Sequence, residues 1–269
     1  EAGLPPAAIS VVTGFGDECG GPLTAHAGVD CVAFTGSTQT GIAVGIESVK
    51  HMRPAQLELG GKSAILVLRD ADPAAAAAIV AQGIFTHGGQ ICMANSRIVV
   101  ERCLFEEFSA ALKSACEKIY LGDLRDERTQ YGPLINERAM QKVLAQIEQA
   151  TAAGATLLTG GKVLRGHTIA PTIVIEPDRG LPLWREESFG PVASLVAADD
   201  IDDAIAIAND SEYGLIGTLW TRDVSRALRV ADRIEAGQIF VNVWNTMSVQ
   251  TPFGGHKNTG HRREEDIEA

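Results

Sequence analysis

Apolar residues along the chain fall into short runs of two kinds. Runs rich in β-branched and aliphatic residues at 9–13 (ISVVT), 29–35 (VDCVAFT), 56–59, 63–68 (SAILVL) and 97–100 (RIVV) predict strands. Further runs at 156–159, 169–175, 192–196, 218–220 and 238–243 predict five more. Between them lie amphipathic stretches. Ile42, Val44, Ile46 and Val49 predict a helix over 42–50, and others are predicted over 105–119, 138–153, 201–209 and 224–234. The sharpest helix start is Asp70-Ala-Asp-Pro-Ala, where Asp72 is placed as N-cap and Pro73 at the first helical position. That helix is expected to run to about Phe85 and to end near Gly88-Gly89. Strands alternating with helices predict an α/β fold built on parallel sheet. There is no internal repeat, and the alanine run at 74–78 is simply good helix former.

Composition narrows the function classes. The 269 residues carry 23 basic and 34 acidic side chains, a net charge of −11, so the chain has no electrostatic footprint for nucleic acid. Nor does it have a polybasic cluster for an anionic membrane or an apolar run long enough to span one. Five cysteines (19, 31, 92, 103 and 116) show neither C-x-x-C nor zinc spacing, which predicts free thiols, no metal site and a reducing, cytoplasmic setting. The chain lacks an initiator Met, opens on Glu1-Ala-Gly-Leu-Pro-Pro and stops in the polar run HRREEDIEA. Those ends suggest a piece of a longer protein.

Candidate chemistry gathers in glycine-bearing segments. HGGQICMANSR (87–97) puts Cys92 in a polar helix-to-strand loop. A nucleophilic thiolate needs such a setting, whereas a packing cysteine does not. Cys31, inside a predicted strand, and Cys116, inside a predicted helix, read as packing. GSTQTG (36–41) closes a strand and opens a helix, so backbone N–H groups could face a phosphate. Glu58 stands before a flexible Gly-Gly in LELGGK and could serve as a general base. EESFGP (186–191) could clamp a hydroxyl and a flat ring, and PFGGHK (252–257) presents a rigid turn with an exposed-looking Phe253. Each segment alone also fits an ordinary turn or strand end.

Together, FTGST (34–38), ELGGK (58–62), GQIC (89–92), EESFGPV (186–192) and PFGGHK (252–257) resemble, in order and spacing, the motif series of the aldehyde dehydrogenase superfamily. The resemblance spans nearly the whole chain. It implies an α/β fold with the remnant of a Rossmann-type cofactor domain at 1–60 and a catalytic domain at 61–255. A tail at 256–269 would return toward the cofactor domain. It also implies oxidation of a small-molecule aldehyde to a carboxylic acid with NAD or NADP, through a thiohemiacetal and a thioester.

By match of motif, Cys92 is the expected nucleophile and its backbone N–H half of an oxyanion hole. Glu58 is the expected base for the deacylating water. Gly36 and Ser37 would meet the pyrophosphate, with Gly41 and Leu59 beside them, Glu187 the nicotinamide ribose, and Phe189 the nicotinamide. Glu58 argues against a relative that passes its acyl group to coenzyme A, and the Cys92/Glu58 pair against a catalytically silent binding protein. The HGGQICM flank resembles that of relatives acting on aromatic aldehydes. The tail NTGHRRE (258–264) departs from the usual Ser-Gly-x-Gly-Arg-Glu. A homodimer or homotetramer is expected of the full-length protein.

Overall fold

A computed structural model describes residues 3–5 and 8–265. A short helix α1 (Gly21–Ala25) precedes β1 (Val32–Thr35), α2 (Thr38–Lys50) and β2 (Ala55–Glu58). The chain continues through β3 (Ala64–Val67), α3 (Pro73–Phe85), β4 (Arg97–Glu101), α4 (Phe105–Glu117) and α5 (Glu137–Ala152). Next come β5 (Thr156–Thr159), β6 (Val163–Arg165), β7 (Thr168–Ile169), β8 (Thr172–Ile175), α6 (Pro182–Arg185) and β9 (Val192–Ala198). The last elements are α7 (Ile201–Asn209), β10 (Tyr213–Gly214), β11 (Ile216–Trp220), α8 (Val224–Ala231), β12 (Gln238–Val241), β13 (His256–Lys257) and β14 (Gly260–His261).

Two sheets organise these elements. A seven-stranded sheet runs β12-β11-β3-β4-β9-β8-β5, parallel throughout except for the antiparallel edge strand β5. Its central strands are apolar on both faces, as a parallel sheet covered by helices on each side requires. Ile65, Val67, Ile98, Val100 and Leu195 pack with α3 and α4 on one face. Leu66, Leu68, Val99, Val196 and Leu219 pack with α7 and α8 on the other. The second sheet is small. β1 and β2 pair in parallel, and β14 returns antiparallel to β2, setting Gly260 opposite Glu58. Among the described residues no helix is long and apolar enough to cross a membrane.

Where the structure differs from the sequence-based expectation, the reason is packing. Residues 9–13 form no strand; Val11 is 84% exposed, because a β-branched run without a neighbouring strand has no ladder to join. Cys31 is exposed just ahead of β1 rather than packed. The strand expected over 169–175 splits at Ala170-Pro171, so that β7 pairs with β6 and β8 joins the large sheet. The strand expected over 238–243 stops at Val241, where Asn242 takes a left-handed conformation (φ 57°) and its side chain closes on the Thr221 backbone. Phe253 is buried with Met93, Leu215 and Trp244, not exposed.

Candidate active site

The C-terminal edge of the small sheet and the N-terminal edge of the large one meet at the Gly60-Gly61 connection between β2 and β3. All five motif segments reach this seam. The turn after β1 starts it: the Gly36 N–H donates to the Glu58 carbonyl at 3.0 Å, and Ser37 caps α2, its Oγ accepting the Thr40 N–H at 3.2 Å. The N–H groups of Thr38 and Gln39 lie in the helix's first turn, where no intrahelical acceptor exists. Gly36 and Ser37 are exposed, whereas Gly41 is buried against Leu59, whose isobutyl group fills the space a Cβ would need. Leu59 donates its N–H to the Thr259 carbonyl at 2.7 Å, tying this turn to the tail.

Glu58 ends β2 only 3% exposed, and among the described residues neither carboxylate oxygen has a hydrogen-bond partner. Burial pushes its carboxyl up to about 7; the neighbouring Glu264 charge adds to the rise and Arg263 opposes it. Both of those residues come from the tail, held by reciprocal hydrogen bonds between the Phe253 and Glu264 backbones at 2.7 and 2.6 Å. The exposed-looking turn of the sequence is thus a wall behind Glu58.

Cys92 lies in a tight turn that other elements pin. Trp244 Nε1 donates to the Met93 carbonyl at 3.4 Å, and buried Asn95 Nδ2 donates to Thr218 Oγ1 at 3.3 Å. Upstream, His87, Gly88 and Gly89 all take left-handed conformations (φ 53°, 64° and 73°). Gly89 sits where any Cβ would overlap the Gly190 carbonyl, which brings the 186–191 segment alongside the cysteine loop. Gln90 locks the approach, accepting the Ile135 N–H at 2.9 Å and donating to the His87 carbonyl at 3.1 Å. Burial raises the Cys92 thiol above its ordinary value, and the charges of Glu187 and Glu58 raise it further. The backbone N–H groups of Met93 and Cys92 act in the opposite direction, toward an anionic sulfur.

Glu187 stands on the other side of the connection. Its Oε1 accepts the Gly61 N–H at 3.0 Å, and its backbone carbonyl accepts from Lys142 Nζ at 2.6 Å. Burial raises its carboxyl, offset by the Gly61 N–H and then by Lys142 and Lys62. Phe189 is 43% exposed, in a left-handed conformation (φ 53°) that turns its ring out of the core.

A model of the aldehyde dehydrogenase family matches residues 1–269. The chain belongs to the aldehyde dehydrogenase family. Among curated aldehyde dehydrogenases, it is 40% identical over 268 residues to the chloroplastic betaine aldehyde dehydrogenase of Amaranthus hypochondriacus, covering 98% of this chain and 54% of that one. It is 41% identical over 275 residues to the betaine aldehyde dehydrogenase of Brucella anthropi, covering 100% of this chain and 56% of that protein. The chain therefore spans about half the length of the curated relatives it matches. The crystal structure of a Staphylococcus aureus betaine aldehyde dehydrogenase with NAD+ superposes with a TM-score of 0.92 at 34% identity, over 96% of this chain and 52% of that one. A Mycobacterium tuberculosis aldehyde dehydrogenase with NAD+ gives 0.89 at 36% identity, over 93% and 52%.

Sequence reasoning placed Cys92, Glu58, Gly36, Ser37, Gly41, Leu59, Glu187 and Phe189 as site candidates, and the fold brings all of them to this seam. It passed over Glu264, hidden in the charge run HRREED, and Lys62. A signal for Lys62 existed: a lysine directly ahead of the strand run SAILVL has little room to reach solvent.

Proposed function

We propose that this site belongs to an NAD-dependent aldehyde dehydrogenase that oxidises an aldehyde to the free acid. The observation that carries the reading is the pairing of a turn-held thiol with Glu58, a buried, unpartnered carboxyl pushed up to about 7. A carboxyl in that range can take a proton near neutral pH, which one at its ordinary value does poorly.

The residues present fit a dinucleotide. The exposed Gly36-Ser37 turn at the N-terminus of the 13-residue helix α2 suits a pyrophosphate. Glu187, having given one oxygen to Gly61, retains acceptor capacity for ribose hydroxyls, and the out-turned Phe189 offers a flat apolar surface. NAD is favoured over NADP by the NAD+ in the Staphylococcus and Mycobacterium relatives. When bound, the oxidised nicotinamide supplies the acceptor for the aldehyde hydride.

The chain's own residues do the rest. Cys92 Sγ loses its proton to solvent water, and the thiolate adds to the carbonyl carbon to form a thiohemiacetal whose oxygen carries the negative charge. Backbone N–H groups at the Cys92 turn face the negative charge that develops. Once oxidised, the carbon remains on Sγ as a thioester. Glu58 then takes a proton from water as the water oxygen adds to the acyl carbon; the carboxylic acid departs, and Sγ is released as thiolate. The Glu58 charge reaches the Cys92 thiol, which supports release of the acyl group to water rather than to coenzyme A. A cytoplasmic location belongs to the same proposal, supported by five cysteines that are all free. So does assembly of the full-length protein as a homodimer or homotetramer.

The test is aldehyde-dependent appearance of reduced cofactor with aromatic, short aliphatic and trimethylammonium aldehydes. Cys92→Ala is expected to abolish it while leaving cofactor binding nearly intact. Turnover surviving in Cys92→Ala would end the proposal.

A further inference from the structure

Lys62 is a fully buried amine that the proposed chemistry does not use. It is 1% exposed, yet among the described residues no carboxylate pairs with it; Nζ donates to Ser188 Oγ at 3.0 Å in a buried contact. Four charged side chains act on the amine. Arg97 and Lys142 repel its charge, while Glu187 and Glu186 attract it, and burial opposes it most. Such a group is costly to retain, since burying an amine with a single acceptor leaves most of its donors unanswered.

Its position gives it a task. Lys62 directly follows the Gly60-Gly61 connection, and Ser188 directly follows Glu187. The Lys62–Ser188 bond therefore closes a small ring with the Glu187 Oε1 to Gly61 N–H bond at 3.0 Å. Gly60 lies flat against the same carboxylate, with a Cβ there falling 2.9 Å from Glu187 Oε2. On its other side the connection touches the nucleophile's loop, for a Cβ on Gly61 would overlap the Cys92 carbonyl oxygen. Lys62 is itself fixed from behind, because buried Arg97 Nε donates to its carbonyl at 2.8 Å. The second tether on this segment, Lys142 to the Glu187 carbonyl, approaches from the exposed side.

We propose that Lys62 is a positioning residue that acts through the Ser188 hydroxyl to hold the Glu187 carboxylate against the Gly60-Gly61 connection, beside Cys92. Resting on the assigned roles of Cys92 and Glu187, it deepens that reading by giving Ser188, an otherwise unremarked polar residue in EESFGPV, a defined job. Without the bond, residues 187–189 lose their buried anchor and Glu187 drifts from Gly61. Cys92 then loses an acidic neighbour that disfavours its thiolate.

The test reads the thiol directly in cofactor-free protein, as the pH dependence of Cys92 alkylation by iodoacetamide, with the site confirmed by peptide mass. Ser188→Ala is expected to move the alkylation midpoint down by roughly half to one pH unit, about a three- to tenfold faster reaction below the midpoint. Ser188→Thr, which keeps a hydroxyl, restores the wild-type midpoint. Glu187→Gln reproduces the shift, and adding Ser188→Ala to it produces no further change. Lys62→Met follows Ser188→Ala where it folds, and Ser188→Ala decides the matter where it does not. An unmoved midpoint in Ser188→Ala, or an equal shift in the Glu187→Gln background, overturns the proposal. Failure of the functional reading shows up separately, as wild-type protein that alkylates at Cys92 but reduces no cofactor with any aldehyde.

Discussion

Gly61→Ala is the most discriminating single substitution at this seam. The residue is not in a left-handed conformation, so alanine meets no backbone strain there. The effect is steric. A Cβ would overlap the Cys92 carbonyl oxygen, lie 3.3 Å from its carbon and only touch Leu215 Cβ at 3.6 Å. Restoring ordinary contact requires the Cys92 carbonyl to retreat by roughly 1 Å. The loop cannot give that movement freely, because Trp244 holds the Met93 carbonyl and Thr218 holds Asn95. Overpacking of this kind costs about 1–3 kcal/mol of stability. A displacement of about 1 Å at the reacting atom costs on the order of 10²-fold in rate. Gly45→Ala is the matching control: on α2 its Cβ meets only Leu57 Cδ1 at 3.4 Å, and alanine gains about 0.5–1 kcal/mol in a helix interior. Steady-state aldehyde oxidation and thermal melts on the two variants decide the point. Wild-type turnover and melting in Gly61→Ala would show that the Cys92 loop is not seated on this connection.

Other outcomes follow from the same packing. Glu58→Gln should give a burst of reduced cofactor without steady turnover, while the wild-type steady rate climbs with pH through about 7, the range to which burial pushes this carboxyl. Because folded Glu58 holds its proton more tightly than the unfolded chain, stability should decline as pH rises from 4.5 through about 7. Glu58→Gln should flatten that decline by on the order of 1–3 kcal/mol in denaturant titrations, and an unchanged slope would contradict the burial of the carboxyl. Arg97→Met should destabilise by about 3 kcal/mol or more, since Arg97 donates to the Lys62, Ile207 and Ala208 carbonyls at 2.8, 3.1 and 2.8 Å beneath Trp184. A melt matching wild type would show that water replaces those donors. Asp72→Ala should cost about 1 kcal/mol, because Asp72 Oδ1 accepts the Ala74 and Ala75 N–H groups at 3.0 and 3.1 Å; no loss would mean that the cap is idle.

Local chemistry made much of this protein readable from its residues in order. Asp72 and Pro73 fix the start of α3 because capping and a preset φ act within a few residues. The buried strands of the large sheet read clearly because continuous apolar runs need cover on both faces. Cys92 stood out because glycines and amides around a lone thiol are a local pattern, and Glu58 because Gly-Gly follows it. What the tertiary structure alone decided was which of these segments meet. Residues 9–13 have the composition of a strand and no ladder to join. Phe253 looks exposed in a glycine turn until the tail folds it against Trp244. Glu264 reads as one more solvated charge until β14 pairs with β2 and sets it near Glu58. Lys62 reads as a surface cation until the sheet closes over it and leaves Ser188 as its acceptor. The pattern of apolar and polar residues determines which elements form, because those forces act between near neighbours. Burial, and with it the raised carboxyl of Glu58 and the anchored Glu187, depends on segments more than a hundred residues apart being packed into one seam.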